Sequence, residues 1–148
     1  MIKKHKRTKN EREYIPRYPE KYIGTYPIIC RSSWELRMCE WFDFNKKVLE
    51  WSSESHRIRY FDPVQNKYRI YYPDFYVMFK DRGKFIVEVK PLKDIRMPKR
   101  GKKSQRTLRI YERTISTNQA KFKAADQYSK KLGMEFVVLT EKDLFRGN

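Results

Sequence analysis

The sequence predicts a mixed α/β domain, a β-sheet flanked by two longer helices, and three observations carry that prediction. A capped helical face begins near residue 32. Short runs between residues 57 and 89 alternate side chains with the two-residue period of a strand, and a second helical face over residues 117–132 leads into an apolar run. At 148 residues the chain suits one domain. A domain of that size withdraws about 70% of its unfolded surface from water, enough for a core without staples.

Taken in order, residues 1–19 hold almost no aliphatic side chains and read as a flexible basic arm. The domain proper is expected over 20–148. Ser32-Ser33-Trp34-Glu35 has the S-x-x-E form of a capping box, with Ser32 as N-cap and Glu35 at N3. Leu36, Cys39 and Phe42, with Met38 and Trp41 beside them, then space a helical face that runs to about Lys47. Val48 to Trp51 turns strand-like. Strands follow at Arg57 to Phe61, Lys67 to Tyr72, Phe75 to Phe79 and Lys84 to Val89, separated by turn signals at Asp62-Pro63, Pro73-Asp74 and Asp81-Arg82-Gly83. Residues 93–106 read as a long basic loop. Ala120, Ala124, Ala125 and Tyr128 mark a helix over Thr117 to Leu132 with Gly133 as its C-cap, before a buried strand at Met134 to Leu139 and a short helix at Glu141 to Phe145. The sheet implied by this order has about five strands.

Charge narrows the function. Lys and Arg number 35 against 18 Asp and Glu, a net charge of +17, and the mean hydropathy is −0.92. An aromatic share of 16%, with eleven tyrosines, argues against disorder as the explanation. Residues 1–21 and 93–123 together supply fourteen of the seventeen net charges. Such concentration points to phosphate contact rather than general solubility, with Lys99, Arg100, Lys102, Lys103 and Arg106 as the candidate DNA contacts of the interior stretch. Neither basic segment has the apolar face of a membrane-surface helix, and no apolar run approaches the ~20 residues of a membrane span. Cys30, Cys39, His5 and His56 offer neither zinc-ligand spacing nor a disulfide framework. The expectation is an intracellular basic domain with a polyanionic partner and no membrane.

The few acidic residues supply the chemistry. Asp74 opens an otherwise apolar strand, and Glu88 and Lys90 project together from a strand whose other face is Phe85, Val87 and Val89. Phosphodiester hydrolysis needs a divalent cation, carboxylates to hold it and a group to position the attacking water. Mg²⁺ takes only one or two protein carboxylates besides waters and phosphate oxygens. Asp74 and Glu88 on neighbouring strands, with Lys90 two residues on, meet that requirement.

Pro73-Asp74, thirteen intervening residues, then Glu88-Val89-Lys90 give the pattern of the PD-(D/E)XK nucleases, which the chain resembles. Arg31-Ser32-Ser33-Trp34-Glu35, Tyr72 to Val77 and Val87 to Pro91 are similar in wording to the branch that contains TnsA-type transposon endonucleases. From about Arg17 to Phe145, with its basic arms, the chain also resembles the head completion nucleases of T-even phages. The resemblance implies a restriction-endonuclease-like core and a DNA endonuclease that uses Mg²⁺, with Mn²⁺ substituting. It implies Asp74, Glu88 and the Val89 backbone carbonyl as metal ligands, and Glu35 completing the site directly or through water. Lys90 would orient or help deprotonate the water and stabilise charge on the scissile phosphate. Products would be a 5′-phosphate and a 3′-hydroxyl. Gln119 and Lys121 resemble positions that reach toward the DNA backbone. TnsA-type enzymes often carry glutamine where this chain keeps Glu88. The implied partners are double-stranded DNA and phage head, portal or neck proteins, in the virion head and in the host cytoplasm during assembly. The oligomeric state stays open, a dimer being one route to double-strand cleavage. The alternatives are a non-catalytic DNA-binding plug of the filled head and a structure-specific junction-resolving nuclease.

Plainer readings stand beside these. The capping box alone accounts for Glu35, turn chemistry accounts for Asp74, and an edge-strand ion pair accounts for Glu88 and Lys90. Tyr68, Tyr71, Tyr72 and Tyr76 read as sheet packing rather than base-stacking surfaces.

Overall fold

The computed structural model describes residues 10–99, 101 and 103–145. In chain order they form β1 (Arg12–Tyr14), β2 (Ile28–Cys30), α1 (Ser33–Phe44), β3 (Val48–Ser53), β4 (Ile58–Asp62), β5 (Lys67–Tyr71), β6 (Phe75–Phe79), β7 (Gly83–Val89), α2 (Gln105–Lys131), β8 (Glu135–Leu139) and α3 (Glu141–Leu144). A mixed four-stranded sheet in the order β3-β6-β7-β8 is the centre of the fold. Strands β3, β6 and β7 run antiparallel, and β8 joins β7 in parallel after the α2 crossover. The mixed α/β class expected from the sequence is the class found.

Alternation along the two middle strands explains the layers. Phe75, Val77 and Val87 point to the α1 face, where Met38, Cys39, Phe42 and Trp51 fill the core. Tyr76 and Ile86 point the other way, toward Met134, Tyr128 and Phe136 beneath α2. Strand β7 is therefore covered on both faces, which is why its run reads as nearly continuous apolar sequence until Glu88.

The expected five-stranded sheet divides instead into four strands and two separate two-stranded ribbons, β1-β2 and β4-β5. The two-residue period identifies a strand but not its partner. Ile58, Tyr60 and Tyr71 of the β4-β5 ribbon pack on Ala125 of α2, so the ribbon follows the helix rather than the sheet. Its outer face leaves Tyr68 61% exposed, and Tyr72 just beyond the ribbon is 50% exposed; sheet packing holds only for the buried Tyr71 and Tyr76.

The second long helix starts twelve residues earlier than its apolar spacing announces. Ser104 caps it by accepting from Thr107 N at 3.2 Å. The basic loop therefore ends before Gln105, and Arg106 belongs to the first turn of α2. Gly133 follows the helix with φ +70°, the left-handed conformation its C-cap role requires.

The predicted flexible arm is structured from Arg12 onward; residues 1–9 lie outside the described residues. The cause is Asp43, 1% exposed, which accepts from Tyr14 Oη at 2.6 Å, Arg17 N at 2.7 Å and Tyr18 N at 3.0 Å. Lys21 Nζ donates to the carbonyls of Phe42, Asp43 and Asn45, each at 2.8 Å, and so caps the C-terminal end of α1. Sparse aliphatic content missed this segment because a charged hub and aromatic rings hold it.

Candidate active site

Pairing of β6 with β7 sets Phe75 against Val87, which brings Asp74, just ahead of β6, level with Glu88. Their tie is reciprocal. Asp74 N donates to Glu88 Oε2 at 3.2 Å, and Val89 N donates to Asp74 Oδ2 at 2.8 Å. Lys90 Nζ lies 3.6 Å from Glu88 Oε1. Glu88 is 5% exposed, so the plain edge-strand reading of this pair does not apply: β7 has β6 on one side and β8 on the other.

Helix α1 presents its first turn to the same place. Glu35 N donates to Ser32 Oγ at 3.2 Å and Ser32 N returns the bond to Glu35 Oε2 at 3.1 Å, closing the predicted capping box; Arg31 N also donates to Oε2. The Glu35 side chain additionally meets the Asp74 carboxyl. The local cap and the contact with Asp74 thus coexist in one side chain.

Burial first, then the Glu88 and Glu35 charges, push the Asp74 carboxyl well above its ordinary pKa. Burial also raises Glu88, against the opposing pull of Lys90, Tyr71, the Asp74 amide and Lys121. Lys121 of α2 is held below its usual value by burial and by the neighbouring Lys90 charge. Its ammonium stands over the Tyr71 and Tyr60 rings, 5.5 and 5.8 Å from their centroids. The Tyr71 hydroxyl is buried next to Glu88 but finds no partner of normal hydrogen-bond geometry among the described residues.

Two residues of this region escaped the sequence reading. Glu54 N donates to the Asp74 carbonyl at 2.9 Å, and Arg31 grips both Glu54 carboxylate oxygens at 3.1 Å. Burial pushes Glu54 up while Arg31 opposes it. Arg31 stands in the quoted Arg31-to-Glu35 motif, but nothing local signals its partner at 54.

The remaining predicted contacts spread outward. Lys99, Lys103, Arg106 and Gln119 are exposed, whereas Arg100 and Lys102 lie outside the described residues. Lys103 sits over Tyr111 at 4.5 Å. Gln119 is two residues from Lys121, so at about 100° per residue it faces nearly the opposite side of the helix. Lys121 joins the carboxylates; Gln119 does not. The larger cavity, about 580 Å³ and lined by Trp41, Phe79 and Leu144, holds none of these residues.

Among the described residues no group of three or more His, Cys, Asp or Glu is set to hold a metal ion. The Asp74–Glu88 pair nevertheless fits one. Two enclosed carboxyls stay raised in pKa even with Lys90 and Lys121 nearby, an unsatisfied hydroxyl stands beside them, and Mg²⁺ asks for one or two carboxylates. Among the described residues, no helix is long and apolar enough to cross a membrane.

Comparison with known proteins covers most of this region. Residues 45–141 match the family described as TnsA-like endonuclease N terminal, a span that contains Asp74, Glu88, Lys90 and Lys121 and leaves Glu35 just outside. The chain is also 33% identical to the head completion nuclease of Enterobacteria phage T4 over 139 residues, covering 89% of this chain and 91% of that one.

Proposed function

This chain belongs to the TnsA-like endonuclease family, and from that premise we propose that it is a Mg²⁺-dependent DNA endonuclease acting in phage head completion, on DNA at a late stage of packaging. The observation that carries the reading is the reciprocal tie of Asp74 and Glu88 beside Lys90.

In this reading Asp74 and Glu88 hold the divalent ion, with the Val89 carbonyl as a further ligand and Glu35 reaching it directly or through water. Mn²⁺ would substitute. The bound ion supplies Lewis acidity to the phosphate and lowers the pKa of the attacking water. Lys90 orients that water and places positive charge against the phosphate oxygens as charge builds there. Water oxygen bonds to phosphorus, the bond to the 3′ oxygen breaks, and the leaving oxygen takes a proton, giving a 5′-phosphate and a 3′-hydroxyl. Glu54 and Arg31 position Asp74 from behind. Lys99, Lys103 and Arg106 extend the contact with double-stranded DNA, and phage head, portal or neck proteins are the protein partners, in the host cytoplasm during assembly and in the virion head.

Supercoiled and linear DNA incubated with the protein, in Mg²⁺ and in EDTA, test this directly. Nicking or linearisation with Mg²⁺ alone is the expected result. No cleavage of any DNA with Mg²⁺ or Mn²⁺ overturns catalysis in favour of a DNA-binding head plug, and cleavage that survives both Asp74→Ala and Glu88→Ala overturns the site.

A further inference from the structure

A cleft of about 320 Å³ opens between the β4-β5 turn and α2, with Lys90 as part of its wall, so it adjoins the Asp74–Glu88 pair. Four cations line it, Arg69, Lys90, Arg113 and Lys121, against two acids, Asp62 and Asp94. Asp62 is already engaged. It accepts from Val64 N at 2.9 Å, Gln65 N at 3.4 Å and Thr117 Oγ1 at 3.2 Å, and Arg69 Nη1 stands 3.6 Å away. Its Oδ2 faces Arg69, and its Oδ1 fastens the hairpin turn to α2. On the opposite wall, Asn118 Nδ2 donates to the Asp94 carbonyl at 2.9 Å and fixes that loop. The cations thus line a wall built by buried polar contacts.

The early start of α2 gives the cleft an approach. Arg106, Arg109, Arg113, Thr117 and Lys121 are spaced three, four, four and four residues apart, so they share one face of a single continuous helix. Arg106, Arg109 and Arg113 are exposed. Glu112 is turned about 100° from Arg113. At ~1.5 Å per residue the stripe from 106 to 121 is roughly 22 Å long, about six steps of a strand at ~3.4 Å of axial rise each. A small free anion has no use for such a track; a polyanionic strand does.

We propose that this cleft is a subsite for a backbone phosphate next to the scissile one, held by Arg69, Arg113 and Lys121, and that the arginine stripe of α2 is the track along which that DNA strand reaches it. The subsite rests on the nuclease reading above and adds to it the path of the strand. A neighbouring phosphate fixed there sets the scissile phosphate against Lys90, and positioning of that kind is a recognised source of rate.

Duplexes carrying one methylphosphonate at each phosphate around a mapped cut provide the test, with full-length protein and Mg²⁺. One uncharged internal phosphate beside the cut lowers wild-type kcat/KM about tenfold, the size expected of one charge-assisted contact. Arg113→Ala lowers kcat/KM on the unmodified duplex by a similar factor, and the same methylphosphonate then causes no further loss. The salt dependence of binding, read by fluorescence anisotropy, falls by about one unit of slope for Arg113→Ala. Lys130→Ala, at the far end of the helix, leaves all three readouts unchanged. Equal methylphosphonate sensitivity in wild type and Arg113→Ala overturns the subsite, and sensitivity confined to a 5′-terminal phosphate overturns the internal track. Absence of wild-type cleavage overturns the underlying nuclease reading, and an unchanged salt slope in Arg113→Ala then overturns the track independently.

Discussion

Glu88 holds the backbone of Asp74: the Asp74 amide donates to Glu88 Oε2 at 3.2 Å, while Asp74 Oδ2 accepts from Val89 N at 2.8 Å. Each carboxylate is fixed by the other's strand, so the pair is preorganised before any ion arrives. The cost is burial of both carboxyls, to which the Glu88 and Glu35 charges add at Asp74, and it shows in the raised pKa of both.

Neutral isosteres separate these two consequences. Asp74→Asn and Glu88→Gln each lower cleavage by about 10³-fold or more, several kcal/mol of transition-state stabilisation. Each also raises the melting temperature in EDTA by about 2–4 °C, the scale of a 1 kcal/mol relief in a domain of this size. Added Mg²⁺ stabilises the wild type and leaves both variants unmoved. Thermal melts with and without Mg²⁺ check both signs.

Lys90 acts on the reaction rather than on ion binding in the proposed site. Lys90→Met drops the single-turnover rate by about 10²–10³-fold, whereas the Mg²⁺-induced rise in melting temperature persists. A variant that loses both would make Lys90 a support of the carboxylates instead.

Glu35 has a cap to keep and an Asp74 contact to make, and two substitutions part them. Glu35→Gln keeps the capping box, since glutamine serves at N3, so stability holds while cleavage falls. Ser32→Ala removes the N-cap acceptor and costs about 1 kcal/mol of stability, with cleavage much less affected. Chemical denaturation and cleavage rates on the same two proteins read the split.

His56 gives an acid-side signature. Burial holds its pKa below the ordinary 6.5, and its Nδ1 lies 2.8 Å from Tyr128 Oη. The unfolded chain therefore binds the proton first as pH falls, so this contribution is intact above pH 6.5 and is lost progressively below it. The difference in melting temperature between wild type and His56→Gln shrinks from pH 7 toward pH 5.

Much of this was legible where the cause is local. The capping box at Ser32 and Glu35 needs only four residues, and the strand period around Glu88 announces a covered strand carrying a carboxylate. The start of α2 was not, because Arg106, Arg109 and Arg113 are exposed on a stretch with little apolar periodicity to report. Arg31 with Glu54, and Tyr14 with Asp43, are separated by 23 and 29 residues, and no spacing rule pairs them. The β4-β5 ribbon reads as any strand pair until Ala125 shows what it packs on.

Asp43 has one more implication, for the way the chain comes apart. Tyr14 and Tyr22 roof the Trp51 ring, with centroids 6.2 and 4.8 Å away, and the carboxylate of Asp43 latches the segment that carries them. Ile15 and Tyr18 stand exposed between the buried Tyr14 and Tyr22, so a protease finds a foothold on the folded segment, and a cut there frees the roof and bares the largest ring of the core. Trimming the terminus past Tyr14 takes away one half of that roof and uncorks the domain.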